Sequence, residues 1–138
     1  MIILDTNVIS EPLRPTPDPR VVEWLDGQSI ETLYLTAITL GELRYGVSVM
    51  PDGRRRDLLT EQLEKNMVPL FSGRVLPYDL DATAEYARVM STARAAGLAI
   101  ATADGMIAAM AAAAGFTVAT RDTSPFAAAG VPIINPWQ

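Results

Sequence analysis

Four acidic residues stand out by their surroundings: Asp5 in MIILDTNVIS, Glu42 in LGELRYGV, Asp104 in ATADGMIAA and Asp122 in VATRDTSPF. Each borders an apolar run, and Asp5 has no Lys, Arg or His within several residues to neutralise it. Carboxylates brought close together repel, so such a set persists only if it is protonated or bridged by cations. A hard divalent ion suits an all-oxygen set, lowers the pKa of a bound water and stabilises charge at a phosphate. The chemistry within reach is therefore metal-assisted hydrolysis, provided the fold gathers acids that lie far apart in the chain.

The elements that must gather them read as short strands alternating with helices. Residues 2–5 form a buried strand, and PTPDP at 15–19 a turn with Asp18 placed to cap a helix and Pro19 at its first position. Val21, Val22 and Leu25 share a face of that helix, and Gly27 ends it. TLYLTAI at 32–38 reads as a second strand running directly into a helix that carries LGELRYGV. Residues 52–70 read as one amphipathic helix with Leu58, Leu59 and Leu63 inward, and residues 74–79 as a third strand. A helix spans about Asp81 to Ala96, and an Ala-rich helix begins at Thr102 or Asp104 and closes at Gly115. FTVAT at 116–120 and VPIIN at 131–135 complete the strands. This alternation predicts an α/β fold, a mostly parallel sheet of about five strands with helices on both faces, as one domain over residues 1–138.

In open parallel sheets ligands bind beyond the carboxyl ends of the strands. On this map Asp5 ends the first strand, Glu42 lies about a turn into the helix after the second, Asp104 opens the Ala-rich helix and Asp122 follows the fourth strand. The acids thus converge on one sheet edge, with Thr6, Asn7 and Thr120 beside them. Taken singly, each has an ordinary role. Asp5 and Asp104 fit helix caps, and Asp122 fits a turn before Thr123, Ser124 and Pro125. Glu42, set among apolar neighbours, is harder to explain that way. The joint placement is what favours a site.

Composition narrows the chemistry further. With no Cys and no His among 138 residues, thiolate, imidazole-base and Ser-His-Asp chemistry are excluded, and Mg²⁺ or Mn²⁺ is the fitting cofactor. A net charge of −5 argues against coating nucleic acid by bulk electrostatics, although acids that hold cations contribute to that sum. Ten of the eleven basic residues are Arg, and the GRRR run at 53–56 puts three of them at a helix start, against the macrodipole. Asp5 interrupts any secretory signal, and the apolar run at 105–119 is too short and Ala-rich to span a bilayer, so a cytoplasmic protein without a membrane partner is expected.

Taken together, MIILDTNVIS, the Glu of LGELRYGV, ATADGMIAA and VATRDTSPF resemble PIN-domain ribonucleases, in particular the VapC and FitB group of bacterial toxin–antitoxin proteins. The likeness runs nearly end to end, through LRPTPDPRVVEWLD and the NPWQ stretch. It implies a PIN-like fold and a metal-dependent endoribonuclease, the toxin of a type II pair, that hydrolyses RNA with a metal-activated water. Family acids carry over onto Asp5, Glu42, Asp104 and Asp122 as the metal-binding and catalytic set. Thr6 and Thr120 match positions that support the site, Asn7 adjoins it, and Arg121 is placed for a substrate phosphate or a structural ion pair. Many relatives have Asn at the place of Asp122 and an acid at the place of Pro125, which leaves open whether Asp122 meets metal directly or through water. The resemblance also implies a ribbon-helix-helix antitoxin, promoter DNA bound through it, and a homodimer. The alternative it permits is a non-catalytic corepressor of a DNA-binding antitoxin. A phosphoaspartyl enzyme or receiver fits less well, because Asn7 stands where a second Asp belongs and the one lysine, Lys65, lies mid-chain.

Overall fold

The computed structural model describes residues 1–138. Its strands are β1 (Ile2–Leu4), β2 (Leu33–Thr36), β3 (Val75–Leu76), β4 (Thr117–Ala119) and β5 (Ile133–Ile134). They form one five-stranded sheet in the order β3-β2-β1-β4-β5, with every pairing parallel. Strand β1 is central, with Ile3 opposite Tyr34 on one side and Val118 on the other. The chain builds outward from β1 to β3, then crosses back to lay β4 on the other flank of β1. The order therefore reverses between β1 and β4, and a crevice opens at their carboxyl ends.

Successive residues of a strand point to opposite faces of the sheet. Leu4 accordingly joins a core with Val8, Val21, Leu35, Leu63 and Phe71. Its neighbour Ile3 joins a second core with Val89, Ile107, Ala108, Val118 and Phe126. Both faces are covered, as a parallel sheet requires. The first layer includes α1 (Thr6–Ser10), α2 (Pro19–Asp26) and α3 (Ala37–Ser48); the second includes α5 (Leu80–Ala95), α6 (Thr102–Ala114) and α7 (Ser124–Ala128). Helix α4 (Arg54–Glu61) follows α3. Helices α5 and α6 lie so close that a Cβ on Gly105 would sit 2.6 Å from Met90 Sδ, which accounts for the small side chains of the Ala-rich stretch.

The expected starts and stops largely hold. Asp18 caps α2, accepting from Arg20 N at 2.9 Å, with Pro19 first in the helix and Gly27 after it. Gly115 closes α6 with φ 72°, a left-handed conformation that disfavours other residues. Three expectations need correction. Residues 52–70 are not one α-helix: α4 gives way to a π-helical segment, Gln62–Met67, and then a 3₁₀ turn, Val68–Phe71. Pro69 lacks the N–H that would continue the ladder, so the helix changes its hydrogen bonding ahead of it. Leu63 is buried as expected, but Leu59 is only half-buried and Leu58 is exposed. The third strand shrinks to Val75–Leu76, because Asp79 leaves it to cap α5 by accepting from Ala82 N at 3.0 Å. Two short helices, α1 and α7, had no counterpart in the sequence pattern.

Candidate active site

Strand β1 delivers Asp5 into the crevice. Its N–H donates to Ala119 O at 2.9 Å, so the end of β1 is clamped to the end of β4. Asp5 is only 5% exposed. One carboxylate oxygen accepts from Thr6 N at 2.8 Å, the cap of α1, and the other accepts from the Thr120 hydroxyl at 2.8 Å. The ordinary role and the site role are thus held by one residue. Burial raises the Asp5 pKa above its usual value, the bonds from Thr120 and Thr6 oppose that, and the nearby Asp122 charge adds to it.

Glu42 reaches the crevice from α3. It is exposed rather than packed among apolar neighbours, and the Thr6 hydroxyl lies 3.0 Å from its Oε1. The same hydroxyl lies 3.1 Å from Thr39 Oγ1. A carboxylate has no proton to give, so Thr6 donates to Glu42 and accepts from Thr39. Thr39 is fully buried and is the member of this relay that sequence reasoning missed. Its signal was the TAIT spacing at the start of α3, where Thr36 caps the helix by accepting from Thr39 N at 3.1 Å.

Asp104 lies in the first turn of α6 but is not its cap, which is Ala101. Its pKa is raised, first by burial and then by the charges of Asp5, Asp122 and Glu42. Asp122 sits exposed in the loop between β4 and α7. The acids expected to converge therefore share one electrostatic neighbourhood. Six ion pairs form in the protein, and none involves Asp5, Glu42, Asp104 or Asp122. As the side chains stand, no three acids are gathered tightly enough to close on one ion. The donor set nevertheless fits a hard divalent cation: oxygen ligands only, mutually repelling, with no basic side chain to compensate them.

The supporting residues also meet here. Asn7 Oδ1 accepts from Arg121 N at 3.3 Å, a second tie between the ends of β1 and β4. The Arg121 side chain forms no ion pair; its guanidinium lies over the Trp137 ring, 5.2 Å from the centroid. Trp137 is buried and serves as a platform for that cation.

Residues 2–131 match the PIN domain family. The chain belongs to the PIN-domain family. Over 138 residues the PIN chain is 57% identical to a VapC ribonuclease of Sinorhizobium fredii, covering 100% of this chain and 99% of that one. It is 54% identical to the toxin FitB of Neisseria gonorrhoeae with the same coverage. Among solved structures, FitAB bound to an IR36 DNA fragment matches with a TM-score of 0.98 and 52% identity, covering 100% of this chain and 96% of that one. This PIN domain is thus one of the VapC and FitB group, and the α/β expectation holds.

The Thr120 hydroxyl gives the crevice a direct test. Thr120→Val keeps the side-chain shape and removes the donor to buried Asp5. A hydrogen bond to a charged group contributes about 1.5–3 kcal/mol, so urea unfolding at neutral pH is expected to show destabilisation of that order. An unchanged midpoint would mean that Asp5 does not depend on this bond.

Proposed function

We propose that this chain is a Mg²⁺- or Mn²⁺-dependent endoribonuclease, the toxin of a type II toxin–antitoxin pair, acting in the cytoplasm on RNA phosphodiester bonds. The observation that carries the reading is the crevice at the strand-order reversal, where Asp5, Glu42 and Asp122 all bear on Asp104 and none of the four forms an ion pair. A bound divalent ion would supply an acidified water and offset charge at the phosphate.

The chain's own residues divide the remaining work. Asp5, fixed by Thr6 and Thr120, and Asp104, set in the first turn of α6, are the principal ligands. Glu42 is held at Oε1 by Thr6, which leaves Oε2 free to orient the attacking water. Asp122, exposed beyond β4, completes the outer shell. Arg121, braced on Trp137 and without an ion pair, is the group we assign to a substrate phosphate, although its charge also reaches Asp18. Preorganised groups of this kind favour in-line attack by positioning and electrostatics.

The relatives support the partner reading. An apolar groove of about 400 Å³, lined by Ile9, Leu13, Leu25 and Met67 with Ile30 and Leu70 exposed on it, offers surface for an antitoxin to cover. The ribbon-helix-helix class is proposed for that antitoxin, with homodimeric toxin and DNA bound through the complex, in keeping with the FitAB–DNA relative. No helix here is long and apolar enough to cross a membrane.

The test is a cleavage assay on mixed RNA with purified chain, titrating Mg²⁺ and Mn²⁺ against a chelator. Cleavage that appears with metal and disappears with chelator is the expected result. Cleavage indifferent to chelator would remove the metal from the mechanism. No cleavage of varied RNAs by folded, metal-loaded protein would favour the corepressor role.

A further inference from the structure

The GRRR run finds a use in the structure that the carboxylate crevice does not absorb. Of its arginines Arg56 pairs with Asp52, while Arg54 and Arg55 have no acidic partner. Arg55 lines a groove of about 300 Å³ that also includes Glu42, Arg14 and the apolar side chains of Leu13, Val47 and Met50. Arg14 is held from below. Its Nη1 donates to both carboxylate oxygens of Glu11, at 2.9 and 3.2 Å. Glu11 is 2% exposed while the Arg14 side chain is 60% exposed. Burying a carboxylate is costly, and a buried pair of this kind is weak support for stability. What it secures here is direction: Nη1 is anchored, and Nη2 and Nε have no partner.

We propose that this groove carries the sugar–phosphate backbone of single-stranded RNA toward the carboxylate site, with Arg14 and Arg55 binding successive phosphates and Glu11 as the positioning residue for Arg14. This rests on the ribonuclease reading and deepens it. Charge complementarity selects the occupant: Arg55 has no acidic partner, and Arg14, though paired with Glu11, keeps Nη2 and Nε free, and guanidinium donors suit phosphate oxygens. Leu13, Val47 and Met50 give splayed bases apolar side chains to lie against, and the guanidinium planes offer stacking faces. A track that includes Glu42 hands the next phosphodiester to Asp5 and Asp104.

The test is binding of a short mixed-sequence single-stranded RNA, read by fluorescence anisotropy in EDTA across a salt series, with KM and kcat measured separately in Mn²⁺. The variants are Arg55→Gln, the paired change Glu11→Gln with Arg14→Gln, and Arg54→Gln. Changing Arg14 alone would orphan a buried carboxylate and risk the fold, so the pair is removed together, and Arg55→Gln disturbs no partner at all. Arg54→Gln removes the same charge from the same turn but outside the groove. Arg55→Gln and the paired change are expected to weaken RNA binding about tenfold each and raise KM while leaving kcat alone. Each should also flatten the slope of log affinity against log salt by about 0.7 per lost phosphate contact. Arg54→Gln should do neither.

Equal weakening by Arg54→Gln and Arg55→Gln would reduce the effect to bulk charge and overturn the groove. Metal-dependent cleavage with KM unmoved in the groove variants would overturn it while leaving the ribonuclease reading intact. Arginine-dependent RNA binding without cleavage would sink that reading and leave the groove standing. No RNA binding at low salt, or displacement by polyglutamate as readily as by RNA, would also overturn it.

Discussion

Asp104→Asn is expected to lower metal-dependent RNA cleavage at least about a hundredfold while the protein stays folded, and Asp5→Asn to do the same. Even residues that only orient a metal's ligands cost about 10–100-fold when changed, so a principal ligand should cost no less. The two variants differ in what else they disturb. Asp104 is half-buried and its carboxylate accepts no hydrogen bond, so its amide has little to break. Asp5 accepts from Thr6 N and from the Thr120 hydroxyl, and an amide can satisfy at most one of those donors with its oxygen while presenting NH₂ to the other. Asp5→Asn should therefore also lose stability, by about 1–3 kcal/mol. Circular dichroism with urea unfolding separates the effects. Full activity in both variants would dissolve the proposed site.

The second large effect concerns stability and its dependence on pH and metal. Asp5 and Asp104 both have pKa values raised above 3.8 in the folded chain. Between the unfolded value and the raised ones the native state binds more protons than the unfolded state. Stability from these groups is therefore complete below about pH 3.8 and falls as pH climbs through the raised values, opposite in sign to an ion-paired carboxylate. Divalent metal replaces the lost protons. At about a hundred times its dissociation constant it should add about 2.7 kcal/mol, worth roughly 2–4 °C in Tm per kcal/mol for a chain near this size. Without metal at neutral pH, Asp104→Asn should melt higher than wild type, because it removes one charge from a repelling set. With metal the order should reverse. A variant that melts lower in EDTA, or a wild type indifferent to Mn²⁺, would contradict the electrostatic account.

The sequence showed where the acids lie along the chain more clearly than how they are held. Asp5, Asp104 and Asp122 were placed by strand ends and by the helix after Gly97, signals that survive folding because strand direction and glycine stops are local. The relay from Thr39 through Thr6 to Glu42 was not legible, since its members lie up to 36 residues apart and meet only because α1 packs against α3. Helix α1 itself is five residues, TNVIS, too short to show a helical period, and α7 is equally short. Around Pro69 the leucine spacing points to a continuous helix, but the missing N–H of Pro69 overrides it. The Glu11–Arg14 pair was visible as an i, i+3 spacing, but nothing in the sequence reveals that Glu11 is buried and Arg14 is not.

The central position of β1 has a consequence for synthesis. Strand β1 lies in the middle of the sheet, and its second neighbour, β4, follows only at Thr117. The bond from Thr120 to Asp5 spans 115 residues. Contacts at such separation form late, after the long loop between them has been closed. A nascent chain leaving the ribosome can assemble β1, β2 and β3, yet it lacks Asp104, Asp122 and the wall that Thr120 supplies. The crevice thus cannot exist until the chain has been made at least as far as Asp122. Any activity housed in the crevice would in this way be withheld until that point in translation.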